Sequence, residues 1–569
     1  MKPAQLLAHF DRVSEAPDSI PCLRQFILEL AVRGKLVDHD PKDEPASALL
    51  KRILAERERR IRDEQMTTQE PLAQVRPDEA RFDIPASWSW VRLGTITQVL
   101  MGQSPPGETY NKTGEGIPLI NGPVEFTEGP FGKTVVNQYT TAPTNLCEEG
   151  DLLLCVRGST TGRTNIAGFR ACIGRGVAAI RPFFADQYVR LFIWRLRASI
   201  IAMGRGIAFP SVSRQQIEEL PVPLPPFTEQ HRIVAKVDEL MALCDRLEAA
   251  QAERENRRNR LAAASLHRLN NGADAGSFRT HVRFHLRHLP RLTTRIEHIK
   301  QLRQTILNLA VRGKLVPQDL NDEPASKLIA RIQSEKGRRT KTRRMMREPQ
   351  LPPIDEDNAP FELPSGWVWA RFPELGIFGR GKSKHRPRND PSLFEGGTHL
   401  LVQTGDVARS NGFIKTFTGK YNEVGLAQSE KWPKGTLCVT IAANIADSGI
   451  LSFDACFPDS VVGFIPSLPF ENASYFEYFV RTAKGGLLQF APATAQKNIN
   501  LGILNEVLIP IPPLAEQDRI VAKVDELMGI CDRLESQIRT TQTESHGLLE
   551  ATLHRALSDQ LESDSDAHF

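Results

Sequence analysis

The chain lacks the marks of several protein classes. Its eight cysteines are scattered over 569 residues, and no two form a CxxC pair. That scatter argues against a zinc site and a disulfide frame, and suits reduced thiols in a cytoplasmic protein. No apolar run reaches the ~18–20 residues needed to span a bilayer. The N-terminus has no basic stretch followed by an apolar core, so no signal peptide is expected. An excess of charge is missing too: 72 Lys and Arg face 68 Asp and Glu, for a formal net charge of +4. A protein that grips nucleic acid by bulk charge is excluded, whereas a reader with local basic surfaces is not. Hydrophobic residues make up 40% of the chain and charged ones 25%, which excludes a disordered polymer.

Catalytic signatures are equally scarce. There is no HExxH, no Cys/His set at metal-ligand spacing and no nuclease-like carboxylate cluster. The Asn/Asp-Pro-Pro-aromatic motif of adenine methyltransferases is absent, since Leu224-Pro225-Pro226-Phe227 lacks the polar first residue. One motif misleads. Gly376-Ile377-Phe378-Gly379-Arg380-Gly381-Lys382-Ser383 fits GxxxxGK[ST]. A P-loop needs a buried strand before it and a helix after it. Here Lys384-His385-Arg386-Pro387-Arg388 follows, charged and broken by proline.

What the chain does have is itself, twice. Residues 23–53 and 302–332 match at 22 of 31 positions at an offset of 279. Residues 225–248 and 512–535 match at 19 of 24 positions at an offset of 287. Between these flanks the two halves diverge, sharing Trp88-x-Trp90-x-Arg92 against Trp367-x-Trp369-x-Arg371 and a Pro-rich exit. A repeat of this kind decides the architecture before any local feature does.

The flanks read as helices. Leu23, Ile27, Leu30 and Ala31 share one face, with Gly34 placed to end the helix, and Leu302, Ile306, Leu309, Ala310 and Gly313 repeat the pattern. Pro45 and Pro324 suit the first turn of a second helix. In the later flank, Ile233, Val237, Leu240, Cys244 and Leu247 are spaced 4, 3, 4, 3, as are Ile520, Val524, Leu527, Cys531 and Leu534. Such a seam predicts a long helix packed against a partner helix. The bodies, 81–226 and 360–513, are rich in Gly, Pro and short apolar runs, which predict short buried strands between turns. The expected architecture is α/β: two mixed α/β domains joined by long helices in an antiparallel coiled-coil-like arrangement, with a pseudo-two-fold internal repeat. Five regions follow: 1–80 helical, 81–226 the first body, 227–359 helical with a basic spacer, 360–513 the second body and 514–569 helical.

The phrases Ala-Val-Arg-Gly-Lys-Leu-Val with Asp-Glu-Pro-Ala-Ser, and Pro-Pro-x-x-Glu-Gln-x-Arg-Ile-Val-Ala-Lys-Val-Asp-Glu-Leu, resemble the DNA-specificity subunit of type I restriction–modification systems. So do Gly102-Gln103-Ser104-Pro105-Pro106 and Gly150-Asp151-Leu152-Leu153. The resemblance spans nearly the whole chain in the family's order. It implies two target-recognition domains, each reading half of a split double-stranded DNA site. It implies helices that bind two methyltransferase subunits, which two restriction subunits can join. It implies no catalysis in this chain. S-adenosylmethionine, ATP and magnesium would belong to the partners, and the target adenine would have to leave the duplex to be methylated.

Candidate DNA contacts follow. In the second body Arg380, Lys382, Lys384, His385, Arg386 and Arg388 alternate along loop-like sequence, fit for phosphates or guanine edges. In the first, Gln103, Ser104, Tyr110 and Asn111 occupy the matching stretch, where amides could pair with adenine. Arg157 and Arg163 flank a turn of small residues, and Lys497 and Asn498 lie near the second exit. Ile233, Val237, Leu240, Leu247, Ile520, Val524, Leu527 and Leu534 are the candidate scaffold and partner positions. The basic stretch 252–300 could extend a helix, touch DNA or be a solvated spacer. An ATPase using the near-P-loop, a fragment of a fused nuclease–methyltransferase and a protein-binding adaptor are the competing readings.

Overall fold

A computed structural model describes residues 18–63, 66, 70–184, 186–204, 211–271, 275–342, 351–355, 359–442, 445–470, 473–489 and 499–558. The helices used below are α1 (Ser19–Val32), α2 (Ala46–Arg62), α3 (Asp186–Arg195), α4 (Phe227–Asn271), α5 (Ala275–Leu292), α6 (Ile296–Val311), α7 (Ala325–Thr342), α8 (Ser474–Gln489) and α9 (Leu514–Ser558). The chain forms two compact units, residues 1–253 with 542–569 and residues 254–541.

In the first unit, the α4 seam packs against α1 and the body. Ile233, Val237 and Cys244 bury themselves with Ile20, Ile27, Leu28 and Ala31 of α1, Tyr188 and Leu191 of α3, and Trp88. Each such aliphatic side chain contributes about 1.5–3 kcal/mol when fully buried. Three ion pairs fix the direction. Arg24 reaches Asp245 at 2.6 Å and Glu248 at 2.9 Å, and Arg232 reaches Asp43 at 2.6 Å. Later residues of the α1 flank therefore meet earlier residues of α4, so the two run antiparallel. The repeat keeps all of this in the second unit. Ile520, Val524 and Cys531 pack on Ile299, Ile306, Leu307 and Ala310 of α6, with Trp367 and Tyr475. Arg303 reaches Asp532 at 2.5 Å and Glu535 at 2.7 Å, and Arg519 reaches Asp322 at 2.7 Å. The partner helix expected for the seam is thus the flank of the same half.

The helix ends differ slightly from expectation. α2 and α7 begin at Ala46 and Ala325, one residue after the prolines, because those alanine N–H groups bond to Ser87 O and Gly366 O. Gly34 and Gly313 do terminate their helices, at φ +69° and +64°. Both long helices comprise 45 residues, ~67 Å at 1.5 Å per residue.

Each body is two sheets and a clasp. In the first, Ser89–Arg92 pairs antiparallel with Pro221–Leu224, tying the body's beginning to its end. One sheet runs Thr97–Met101, Val177–Pro182, Leu152–Cys155, Thr164–Ile166; the other runs Tyr110–Asn111, Tyr139–Thr140, Ile117–Ile120, Ala171–Ile173, Leu146–Cys147. The run Leu152–Cys155 is apolar throughout because both faces of its strand are covered. Leu152 and Leu154 face the core built with α2, and Leu153 and Cys155 face the second sheet. The second body repeats the clasp with Val368–Arg371 and Leu508–Ile511. Its sheets run Gly376–Arg380, Val461–Pro466, Leu437–Thr440, Ser448–Leu451, Gly412–Ile414 and Gly419–Tyr421, His399–Leu401, Ala455–Cys456, Lys431–Trp432.

Seven cysteines are buried and none pairs; burial raises the thiols of Cys244, Cys438, Cys456 and Cys531, that of Cys147 to about 12 and that of Cys155 to about 11. They act as small core residues rather than nucleophiles.

Candidate nucleic-acid interface

The two bodies present matching loops after matching strands. Thr97–Met101 and Gly376–Arg380 each lead into a glycine jammed against backbone. The Gly102 N–H bonds to Val177 O at 2.8 Å and the Gly381 N–H to Val461 O at 2.9 Å. A Cβ on Gly102 would sit 2.2 Å from Gly174 O, and one on Gly381 would sit 2.3 Å from Phe457 O. Only glycine fits either place, which fixes where the following side chains emerge. The same geometry disposes of the P-loop. Gly376–Arg380, which would have to be a phosphate-cradling loop, is a strand paired with Val461–Pro466, and no helix follows Ser383.

In the second body the loop is basic but largely tied to its own domain. Lys382 pairs with Glu430 at 2.6 Å, Arg388 with Asp459 at 2.6 Å and His385 with Asp390 at 2.7 Å. Arg380 donates to Asp459 O at 2.8 Å, and Arg386 to Ser383 O and His385 O, both at 2.7 Å. Ser392 and His385 together hold the Asp390 carboxyl down to about 2. Lys384 differs: its backbone N–H bonds to the Gln428 side chain at 2.7 Å, and its exposed ammonium makes no ion pair among the described residues. The exposed pairs are weak in water, so a phosphate can compete for the cations, and Lys384 needs no exchange. Beside the loop lies a cleft of about 560 Å³ lined by Ser383, Arg388, Asn389, Gln403, Thr404 and Tyr421. Sequence reasoning passed over Asn389, Gln403 and Thr404. No local motif marks them: Asn389 continues the loop itself, and the fold alone brings Gln403 and Thr404 to it.

In the first body the corresponding residues are polar and more constrained. Gln103 is exposed, with its N–H bonded to Ile173 O. Ser104 accepts from the Arg175 N–H at 3.2 Å, and Tyr110 donates to Pro105 O at 3.2 Å. Asn111 corrects the expectation of an adenine-reading amide. Its Oδ1 accepts from the Thr113 and Glu115 N–H groups and its Nδ2 donates to Glu115 O at 2.9 Å, so the amide builds a turn. Arg157 is exposed with no ion pair among the described residues, whereas Arg163 lies half-buried near Thr127 O. Lys497 and Asn498 lie outside the described residues.

The seam positions lie in the scaffold. Ile233, Val237, Ile520 and Val524 are fully buried inside their own units, where they hold the scaffold together. Leu240, Leu247, Leu527 and Leu534 pack at the margins of the same clusters. Among the described residues no group of three or more His, Cys, Asp or Glu could hold a metal ion. No described helix is long and apolar enough to cross a membrane.

Two α/β heads on antiparallel helical arms, each with a glycine-fixed polar or basic loop, define a duplicated recognition protein. The family model "Type I restriction modification DNA specificity domain" matches residues 85–255 and 380–541. The chain belongs to that family. It is similar to the EcoAI specificity subunit of Escherichia coli, 29% identical over 554 residues covering 92% of each chain. It is also similar to the EcoEI specificity subunit of Escherichia coli, 28% identical over 583 residues, covering 94% of this chain and 93% of that one. A crystal structure of the HsdS subunit from Thermoanaerobacter tengcongensis aligns over 84% of this chain and 98% of that one at 19% identity, with a TM-score of 0.41. The chain is thus a specificity subunit of a type I restriction–modification system, the non-catalytic DNA-recognition component.

Proposed function

We propose that each head reads one half of an asymmetric, split DNA site, and that the chain directs adenine-N6 methyltransferase subunits and ATP-dependent restriction subunits to that site. The observation that carries this reading is the pair of equivalent loops: one glycine-fixed frame, carrying Lys382, Lys384, Arg386 and Arg388 in one head and Gln103 and Ser104 in the other. An identical frame with different side chains is what two unlike half-sites require. Phosphate contacts set register, and side chains at base edges set sequence. S-adenosylmethionine, ATP and magnesium belong to the partner subunits in this reading, and the work is done in the cytoplasm, where host DNA lies. Two methyltransferase and two restriction subunits would match the duplicated arms.

Long-read sequencing of host DNA, with the chain co-expressed beside its methyltransferase partner, tests it. The expected result is a single split motif bearing one N6-methyladenine on each strand. Methylation without such a motif, or none at all, would move the protein-binding adaptor reading to the front.

A further inference from the structure

The stretch between the two halves holds a helix that neither the heads nor the arms explain. α5 contains Arg279, Arg283, Arg287 and Arg291 and not one acidic residue, so its formal charge of +4 equals that of the whole chain. Elsewhere positive and negative charges therefore cancel, and here they do not. The spacing is four residues throughout. At roughly 100° per residue, Arg283 and Arg287 sit about 160–200° around the helix from His285, and Arg279 and Arg291 about 120° away on either side. His285 and Leu292 are the buried residues of this helix, His285 within 3.0 Å of Ser265 on α4. The arginines accordingly form one stripe on the face opposite the packed one. All four are exposed, and none makes an ion pair among the described residues. Other exposed arginines on this scaffold do have partners, as Arg295 does in Glu255 at 3.0 Å.

We infer that this stripe binds the phosphate backbone of duplex DNA independently of sequence, between or beside the half-sites the heads read. The inference rests on the reading of the chain as a DNA-specificity subunit. The four guanidinium groups span ~18 Å of helix axis. A duplex presents one phosphate per ~3.4 Å of each strand, so about five phosphates of one strand lie along the same length. Arginine suits the task, being permanently charged and able to bond phosphate oxygens in a fork. An acidic protein surface is less favoured. The exposed apolar residues of the helix, Phe284 and Leu286, flank the stripe on opposite sides and form no central apolar patch of the kind protein interfaces are built around. The stripe is also one-sided: residues 1–13, which precede α1 much as α5 precedes α6, carry only Lys2, Arg12 and Asp11 as charged residues.

The test uses the full chain co-expressed with its methyltransferase partner, as wild type, as Arg279→Gln/Arg283→Gln/Arg287→Gln/Arg291→Gln, and with lysine at the same four positions. Affinity is measured against salt on two duplexes, one carrying the methylated motif mapped in host DNA and one with both half-sites scrambled. The glutamine variant is expected to lose affinity by the same factor on both duplexes, with the slope of log K against log salt shallower by about 3–4. The lysine variant should keep most of the slope. An unchanged slope overturns the inference. If the methyltransferase also fails to co-purify, the stripe belongs to the protein partner instead. A loss confined to the motif-bearing duplex overturns it too, by making the stripe a base reader. A wild-type complex that binds both duplexes equally fails at the earlier level, the specificity reading itself. An unchanged melting temperature in the glutamine variant keeps a folding defect from imitating the expected result.

Discussion

Tyr188 and Tyr475 donate from fully buried hydroxyls to Pro223 O at 2.8 Å and to Pro510 O at 2.5 Å. Each bond ties a body helix to the strand by which the chain leaves that body, and proline there offers only its carbonyl. Tyr188→Phe and Tyr475→Phe each leave that carbonyl short of a donor and should cost about 1–3 kcal/mol. Chemical denaturation reads this as an earlier midpoint at unchanged slope. Wild-type midpoints in both variants would show that the two hydroxyls contribute nothing. At the interface, Lys384→Ala should weaken DNA binding, lower the salt slope by about one phosphate's worth, ~0.9, and leave stability unchanged. No change in slope would take Lys384 off the DNA. Single residues were also where sequence reasoning was weakest. Asn111 looked like a free amide until the turn it makes was visible. Lys382 and Arg388 looked equivalent to Lys384 because their acidic partners, Glu430 and Asp459, lie far along the chain.

Helices were legible, and so were buried strands such as Leu152–Cys155 and Leu437–Thr440, but the order in which strands pair was not. Heptad spacing and duplication identified α4 and α9, and identical flank sequences identified α1 and α6, because helical contacts recur at short fixed intervals. Strands such as Tyr110–Asn111 and Ala455–Cys456 are two residues long, and Gly412–Ile414 pairs in parallel with Ser448–Leu451 from another part of the body. Nothing local encodes such pairings. The basic stretch 252–300 resolves into the end of α4, all of α5 and the start of α6. This helical group carries a pH dependence. Burial lowers the pKa of His285 and of His298 below the ordinary 6.5. Their unfolded forms therefore bind protons first as pH falls, and stability is lost progressively below about pH 6.5. Amide protection factors in α5 and α6, taken relative to the intrinsic exchange rate at each pH, should fall from pH 7.5 to pH 5.5, and His285→Leu should flatten the response. Equal protection at both pH values would contradict it.

Across the molecule, one clasp per body decides how modular the protein is. Ser89–Arg92 with Pro221–Leu224, and Val368–Arg371 with Leu508–Ile511, bring each body's two ends side by side. A body can therefore be exchanged as one piece, provided the incoming body keeps the side chains that pack on the arms, as Trp88, Tyr188 and Leu191 do here. Replacing residues 81–226 with the equivalent body of a relative should change one half of the methylated motif and leave the other half and the spacing intact. Loss of both halves, or an unaltered motif, would deny the bodies independent reading.

The division of the chain into 1–253 with 542–569, and 254–541, also has a genetic consequence. Lys35, just past α1, bonds to Leu557 O at 3.2 Å, and Arg312, just past α6, bonds to Asn270 O at 3.2 Å. Each half is completed by the helix tail of the other, and Leu549, late in α9, is covered by Cys22 of α1 and by Leu553. A stop codon placed just after residue 541 would spare the unit of residues 254–541 and strip a packing helix segment from the unit translated first.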